Sequence, residues 1–154
     1  MTLNPSRIID LASVFYDSCV LFAASDLGSF GKLAQLDRAD ADTLARELKL
    51  DPRGTRLLVD ACVAVDLLAK EGEMYRNTPE SGAFLLPGSP ADLSGAIRYN
   101  RDVYSAWGNL AKMVQTGKPV EEPELHFGED QNRTRTFIAS KAFATTQPRF
   151  PSGK

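Results

Sequence analysis

Residues 40–76 read DADTLARELKLDPRGTRLLVDACVAVDLLAKEGEMYR, and this stretch decides the fold. Asp40-Ala41-Asp42-Thr43 is a helix start, with a side-chain acceptor placed before Leu44, Ala45, Leu48 and Leu50 at helical spacing. Asp51-Pro52 restarts the chain at once, because proline suits the first helical position. The next helix carries Leu57, Leu58, Ala61, Cys62, Val65, Leu68 and Ala69 as one stripe of 3.6-residue period. Two helices joined by so short a turn make a helix-turn-helix. Lys70-Glu71-Gly72-Glu73, flanked by Leu67-Leu68-Ala69 and Met74-Tyr75-Arg76, then reads as a β-hairpin with glycine in its turn. A helix-turn-helix followed by a hairpin predicts a mainly α, winged-helix-like domain with one small hairpin.

Outward from this centre the chain stays helical. Toward the N-terminus, Asn4-Pro5 opens a helix of about 22 residues that ends near Gly28. Ile8, Leu11, Ala12, Phe15, Cys19, Phe22 and Ala23 form its stripe. Ile9, Val14, Tyr16, Val20 and Leu21 widen the apolar surface well beyond that stripe, so the helix needs covering on two sides. Toward the C-terminus, Pro79–Leu86 predicts a short helix stopped by Pro87-Gly88. Ser89 or Asp92 then caps a helix that runs through Leu93, Ile97, Val103, Trp107 and Val114 to Gly117. Beyond Lys118, prolines and glycines punctuate polar sequence. Only Arg135–Phe143 holds another helical turn or two, and disorder is expected after about residue 144. The expected organisation is a winged-helix domain over 1–118 and a linker-like tail over 119–154.

With 154 residues, 43% apolar and 25% charged, the composition is that of a globular domain and excludes collagen-like, disordered and disulfide-scaffold classes. Residues 1–128 hold 13 Lys and Arg against 18 Asp and Glu, whereas 129–154 hold 5 against 2. An acidic body is a poor footprint for nucleic acid. Cys19 and Cys62 lack metal-ligand spacing and read as packed thiols. No uninterrupted run of 18 apolar residues suggests a membrane span, and no leader is evident, so a cytoplasmic protein is expected.

Catalytic signatures are missing. No two glycines flank a single residue, which excludes a dinucleotide fingerprint, a Walker loop and the glycine loop of a Rossmann methyltransferase. His126, the single histidine, lies among Glu121, Glu122, Glu124 and Glu129 and reads as an exposed loop residue. No metal site, cofactor site or catalytic set is read from the residues.

The ordered pieces resemble the N-terminal dimerisation domain of S-adenosylmethionine-dependent small-molecule O-methyltransferases. The pieces are Ala23-Ala24-Ser25-Asp26-Leu27-Gly28-Ser29-Phe30, Asp42–Leu48, Asp51–Ala61, and Leu67-Leu68 with Gly72 and Tyr75. Thr78, Ser81 and Phe84-Leu85 follow, then Tyr104–Leu110 ahead of Thr116-Gly117-Lys118-Pro119. The resemblance spans about residues 5–120 in order. It implies a homodimer built on the first helix, with Phe15, Tyr16, Val20 and Phe22 as interface candidates. It also implies that Tyr104 and Trp107 wall a pocket for a small aromatic or polyketide-like acceptor in a full-length context. Family members continue into a domain that binds S-adenosylmethionine. That domain is read as absent here, so the chain is expected to be truncated, without a cofactor of its own and inactive alone. A mixed dimer with a full-length methyltransferase shares all these features.

The alternative is a winged-helix DNA-binding regulator. Arg53 and Arg56 would then lead a recognition helix, against Asp51, Asp60, Asp66, Glu71 and Glu73 on the same surface.

Overall fold

A computed structural model of the chain describes residues 4–120. His126, the acidic run, the basic tail and the predicted turns after Arg135 lie outside the described residues. In chain order the elements are α1 (Ser6–Ser13), α2 (Phe15–Asp26), α3 (Ser29–Leu36), α4 (Ala41–Leu48) and α5 (Pro52–Ala64). Then come β1 (Leu68–Glu71), β2 (Met74–Asn77), α6 (Pro79–Phe84), α7 (Ser94–Gly108) and α8 (Leu110–Thr116). The fold is mainly α with one small antiparallel hairpin, as the sequence predicts. The chain divides after Pro90 into two compact units, whereas the sequence reading draws its boundary at 118.

Side-chain caps set the starts of α4, α5 and α6. Asp40 accepts from the Thr43 amide at 2.6 Å, Asp51 from the Gly54 amide at 2.7 Å, and Thr78 from the Ser81 amide at 3.3 Å. Each takes one of the amides that a helix start leaves without a partner. Helix ends are closed by left-handed residues. After α4, Lys49 sits at φ 58°, and the Leu50 amide reaches back to the Ala45 carbonyl at 2.9 Å. After α5, Asp66 also sits at φ 58°, and the Leu67 amide reaches the Cys62 carbonyl at 2.8 Å. Both are Schellman closures, which favour glycine because a Cβ crowds this conformation. Lys49→Gly is therefore expected to stabilise the fold by about 0.5–1 kcal/mol. A urea midpoint that falls instead would mean that the lysine side chain holds this corner.

α1 and α2 follow one another across Val14, which keeps right-handed helical angles (φ −56°, ψ −23°). The long N-terminal helix is thus present, with a slight break. At its start Asn4 Oδ1 accepts from the Ser6 amide at 2.9 Å. Over Ser6–Asp26 an 18-residue window reaches a mean hydropathy of 1.5, enough by length and composition to cross a membrane. The stretch is not an uninterrupted apolar run, since Asp10 and Asp17 fall within it. Little of the window is buried within the chain.

The core of the first unit lies under α3, α4, α5 and the hairpin. Phe30, Leu33, Leu44, Val59, Cys62 and Tyr75 are fully or almost fully buried there. The α5 stripe differs from its prediction. The buried positions are Thr55, Val59 and Cys62, while Leu57 is 63% exposed. Leu57-Leu58-Val59 is a contiguous apolar run, so its phase is ambiguous in sequence, and packing against α2 and α4 turns Val59 inward. The helix also stops at Ala64, which makes Leu68 and Ala69 strand rather than helix residues. The glycine turn pulls them into the hairpin, with Glu71 opposite Met74 and Leu68 opposite Asn77. Gly72 stands at φ 60° at the first turn position, where a two-residue hairpin needs a left-handed residue. Ala39 adds a short third edge, with reciprocal backbone bonds to Tyr75 of 3.1 and 2.8 Å.

In the second unit the single predicted helix is broken into α7 and α8. Gly108 has poor helix propensity, and the Asn109 side chain donates to the Ser105 carbonyl at 2.8 Å. Asp92, rather than Ser89, serves the start of α7 and accepts from the Ser94 amide at 2.7 Å. Gly117, at φ 66°, ends α8.

Candidate functional site

The first candidate surface is the N-terminal helix pair. None of the α1 residues is buried, and Ile8, Ile9, Leu11 and Val14 all stand exposed. Leu11 is 63% exposed and Tyr16 60%. Phe15 and Tyr16 touch one another, ring centroids 4.1 Å apart at 46°, and form an aromatic ridge at the start of α2. Further along, α2 turns inward. Ala24 is fully buried, Val20 and Leu21 pack partly buried against the core, and Phe22 is half-buried. The four interface candidates therefore divide. Phe15 and Tyr16 are presented outward, whereas Val20 also serves its own core.

The second candidate surface lies within α7, α8 and the residues that follow. Asn100, Val103, Trp107, Leu110, Met113 and Val120 line a largely apolar cleft of about 450 Å³. That volume is within the range of small-molecule sites. Trp107, 68% exposed, forms part of its wall, and Asn100 contributes a polar amide. Tyr104 is half-exposed and does not line this cleft. Sequence reasoning missed Asn100, Met113 and Val120. The spacing 100, 103, 107, 110 was a legible signal, since it traces one helical face.

The third surface is the outer face of α5 with the hairpin. Arg56, Lys70 and Arg76 here are matched to carboxylates, whereas Arg53, exposed at the start of α5, has no ion-pair partner among the described residues. Arg56 pairs with Asp42 at 3.3 Å and Glu73 at 3.2 Å, and Arg76 pairs with Glu71 at 2.8 Å. Lys70 donates to Asp60 at 2.9 Å, the Tyr75 hydroxyl donates to the same oxygen at 2.7 Å, and the ammonium lies 4.7 Å from the Tyr75 ring centre. The Asp42 charge raises the Arg56 guanidinium further. Lys70 and Tyr75 hold the Asp60 carboxyl below the ordinary carboxylate range.

Burial pushes the Tyr75 phenol up and the Cys62 thiol up to about 11, and the contacts with Tyr75 and Asp60 raise the Lys70 ammonium. All three groups are held in their protonated form by folding. The Cys62 contribution is complete below the unfolded thiol value of 9.0 and is lost as pH rises through about 11, and those of Tyr75 and Lys70 are likewise lost only on the alkaline side, as pH rises through their own raised values. The thermal midpoint is therefore expected to fall steeply over that alkaline window. Cys62→Ala should remove part of the slope. A wild-type profile flat across the window would contradict the burial of Cys62 and Tyr75.

Among the described residues no group of three His, Cys, Asp or Glu side chains is placed to hold a metal ion. The two described strands form a hairpin, and no strand leads through a glycine loop into a helix. The described residues thus do not fit the phosphate-type or nucleoside cradles of a parallel αβ sheet.

Residues 9–87 match the family model of the O-methyltransferase dimerisation domain. The mouse acetylserotonin O-methyltransferase is 41% identical over 118 residues, which cover 72% of this chain and 30% of that protein. The 3-hydroxy-5-methyl-1-naphthoate 3-O-methyltransferase of Streptomyces sahachiroi is 33% identical over 137 residues, 86% of this chain and 39% of that protein. The solved human N-acetylserotonin methyltransferase, in complex with SAM, superposes with a TM-score of 0.73 at 31% identity, over 91% of this chain and 45% of that one. The chain thus spans roughly a third of the length of the curated relatives it matches, 30% of one and 39% of the other.

Proposed function

This chain belongs to the O-methyltransferase dimerisation-domain family, and from that premise we propose that it pairs with a second copy of itself through α1 and the start of α2. The observation that carries the reading is the exposed apolar face of Ile8, Leu11, Val14 and Tyr16. A helical stretch of 21 residues is about 31 Å long. Two such stretches laid together supply a large part of the 2,000 Å² or more that obligate dimers typically bury. Left bare, the face would be an aggregation hazard. The same exposed face accounts for the hydropathy of the segment without a membrane, and its charges, Arg7, Asp10 and Asp17, suit a solvated rim.

The α7–α8 cleft is the proposed wall of an acceptor pocket. Trp107 offers a flat aromatic surface, and Asn100 offers a hydrogen-bonding amide to a planar, weakly polar molecule. Residues 4–120 contribute shape and pairing to such a protein. They supply no cradle for S-adenosylmethionine, and no methyl-transfer step is assigned to them. A role in DNA binding is disfavoured by the carboxylates that already hold Arg56, Lys70 and Arg76.

Light scattering across low to high micromolar concentrations tests the pairing. A persistent mass of twice 16.8 kDa is expected. A monomer throughout would overturn it.

A further inference from the structure

On the premise of the pairing above, we propose that α1 is a conditional helix, a coil in the lone protomer that becomes helical only against a second copy. Ser6–Ser13 has eight residues, and none of them is buried. Burial therefore does nothing to hold it helical within one chain. Local interactions do little more. α1 has no acidic residue in its first turn and no basic one in its last, so its dipole is uncompensated, and Arg7 stands at the end where a cation is unfavourable. Ile8 and Ile9 are β-branched, and Ser6, Asp10 and Ser13 are weak helix formers. Arg7 and Asp10, one turn apart, form no ion pair with one another. Against these stands the Asn4 cap on the Ser6 amide, at 2.9 Å.

α4 is the contrast. It too has eight residues, but it buries Ala41, Leu44 and Ala45. It starts at the Asp40 cap, with Asp42 in its first turn and Arg46 in its last. The core holds α4, and nothing comparable holds α1.

Nor does α2 lend α1 its stability. The N-terminal stretch breaks at Val14, where α1 closes with the Val14 amide on the Asp10 carbonyl at 2.9 Å and α2 starts afresh at Phe15. α1 must therefore nucleate its own first turn, at a constant of about 10⁻³, and isolated helices shorter than about 12–15 residues are marginal in water. Only the helical form brings Ile8, Leu11 and Phe15 onto one side, so the folding and the pairing of α1 drive each other. The lone protomer then presents no continuous apolar face, and pairing is weakened in proportion to how seldom α1 is already helical.

Hydrogen exchange on the full chain tests this, at concentrations above and below the dissociation that light scattering records. In the dimer the amides of residues 9–13 should be protected. In the monomer they should exchange at least about tenfold faster, at coil rates, while the α4 amides stay protected in both. Tyr16→Asp, whose new charge lies outside α1, should give the monomer pattern at every concentration. Ser6→Glu puts an acid in the first turn, on the polar stripe of Ser6, Asp10 and Ser13. It should tighten pairing about two- to fivefold by stabilising the helix that pairing requires. Residues 9–13 as well protected in the monomer as α4, no protection of them in the dimer, or an unchanged dissociation constant in Ser6→Glu would each overturn the proposal while leaving the pairing intact. A monomer at every concentration would instead overturn the pairing itself, and this coupling with it.

Discussion

Leu11→Asp, and separately Tyr16→Asp, are expected to abolish the proposed pairing and leave a monomer that remains folded. Burying leucine in an interface contributes about 1.5–3 kcal/mol, and burying an unpaired carboxylate in its place costs more. The dissociation constant should therefore rise at least about a hundredfold for each variant. Sedimentation at several concentrations reads the change, and far-ultraviolet circular dichroism confirms the fold. The choice of positions matters. Val20 packs partly into the core of its own unit, so an aspartate there would mix unfolding with dissociation. Leu11 and Tyr16 are outward, so a loss of pairing at those two sites reports on the face alone. A stable dimer in both variants would move the contact off this helix.

Phe30→Ala is expected to be the most destabilising single truncation in the first unit, at about 3–5 kcal/mol. Phe30 is 1% exposed and sits in the cluster shared by Leu33, Leu44, Cys62 and Tyr75. Its removal leaves a void that a closely packed set of short helices cannot collapse around. Domain stabilities are typically only about 5–15 kcal/mol, so much of the margin would go. Urea unfolding should show a lower midpoint with an unchanged slope. Ile8→Ala is the matched contrast. Ile8 is exposed, so truncation should leave the monomer within about 0.5 kcal/mol while weakening the dimer. A mild effect at Phe30 would mean that the aromatic ring is not the keystone of this core.

Asp40, Asp51-Pro52, Gly72 and Gly117 were legible because their chemistry is local. A carboxylate one residue before a helix, or a glycine that must adopt positive φ, acts on atoms within a few residues. The helix-turn-helix, the hairpin and the long apolar N-terminal stretch followed from those marks and from hydrophobic period. The absence of a glycine loop was equally local.

Other features depended on what came to lie beside a residue. Leu57 and Val59 are both apolar and adjacent, and only the packing of α5 on its neighbours decides that Val59 faces the core and Leu57 the solvent. Leu68 fits a helical stripe as well as it fits a strand, and the hairpin register settles the matter. Tyr104 and Trp107 share one helix, yet the cleft includes only Trp107, because side chains three residues apart need not border the same hollow. The Ala39–Tyr75 bridge and the joint hold of Lys70 and Tyr75 on Asp60 join residues far apart in the chain. Local propensity, caps and period were enough to determine the elements and their order. Which faces are buried, which charges are paired and where the hollows lie were decided by tertiary packing, since those depend on contacts that no short window of sequence contains.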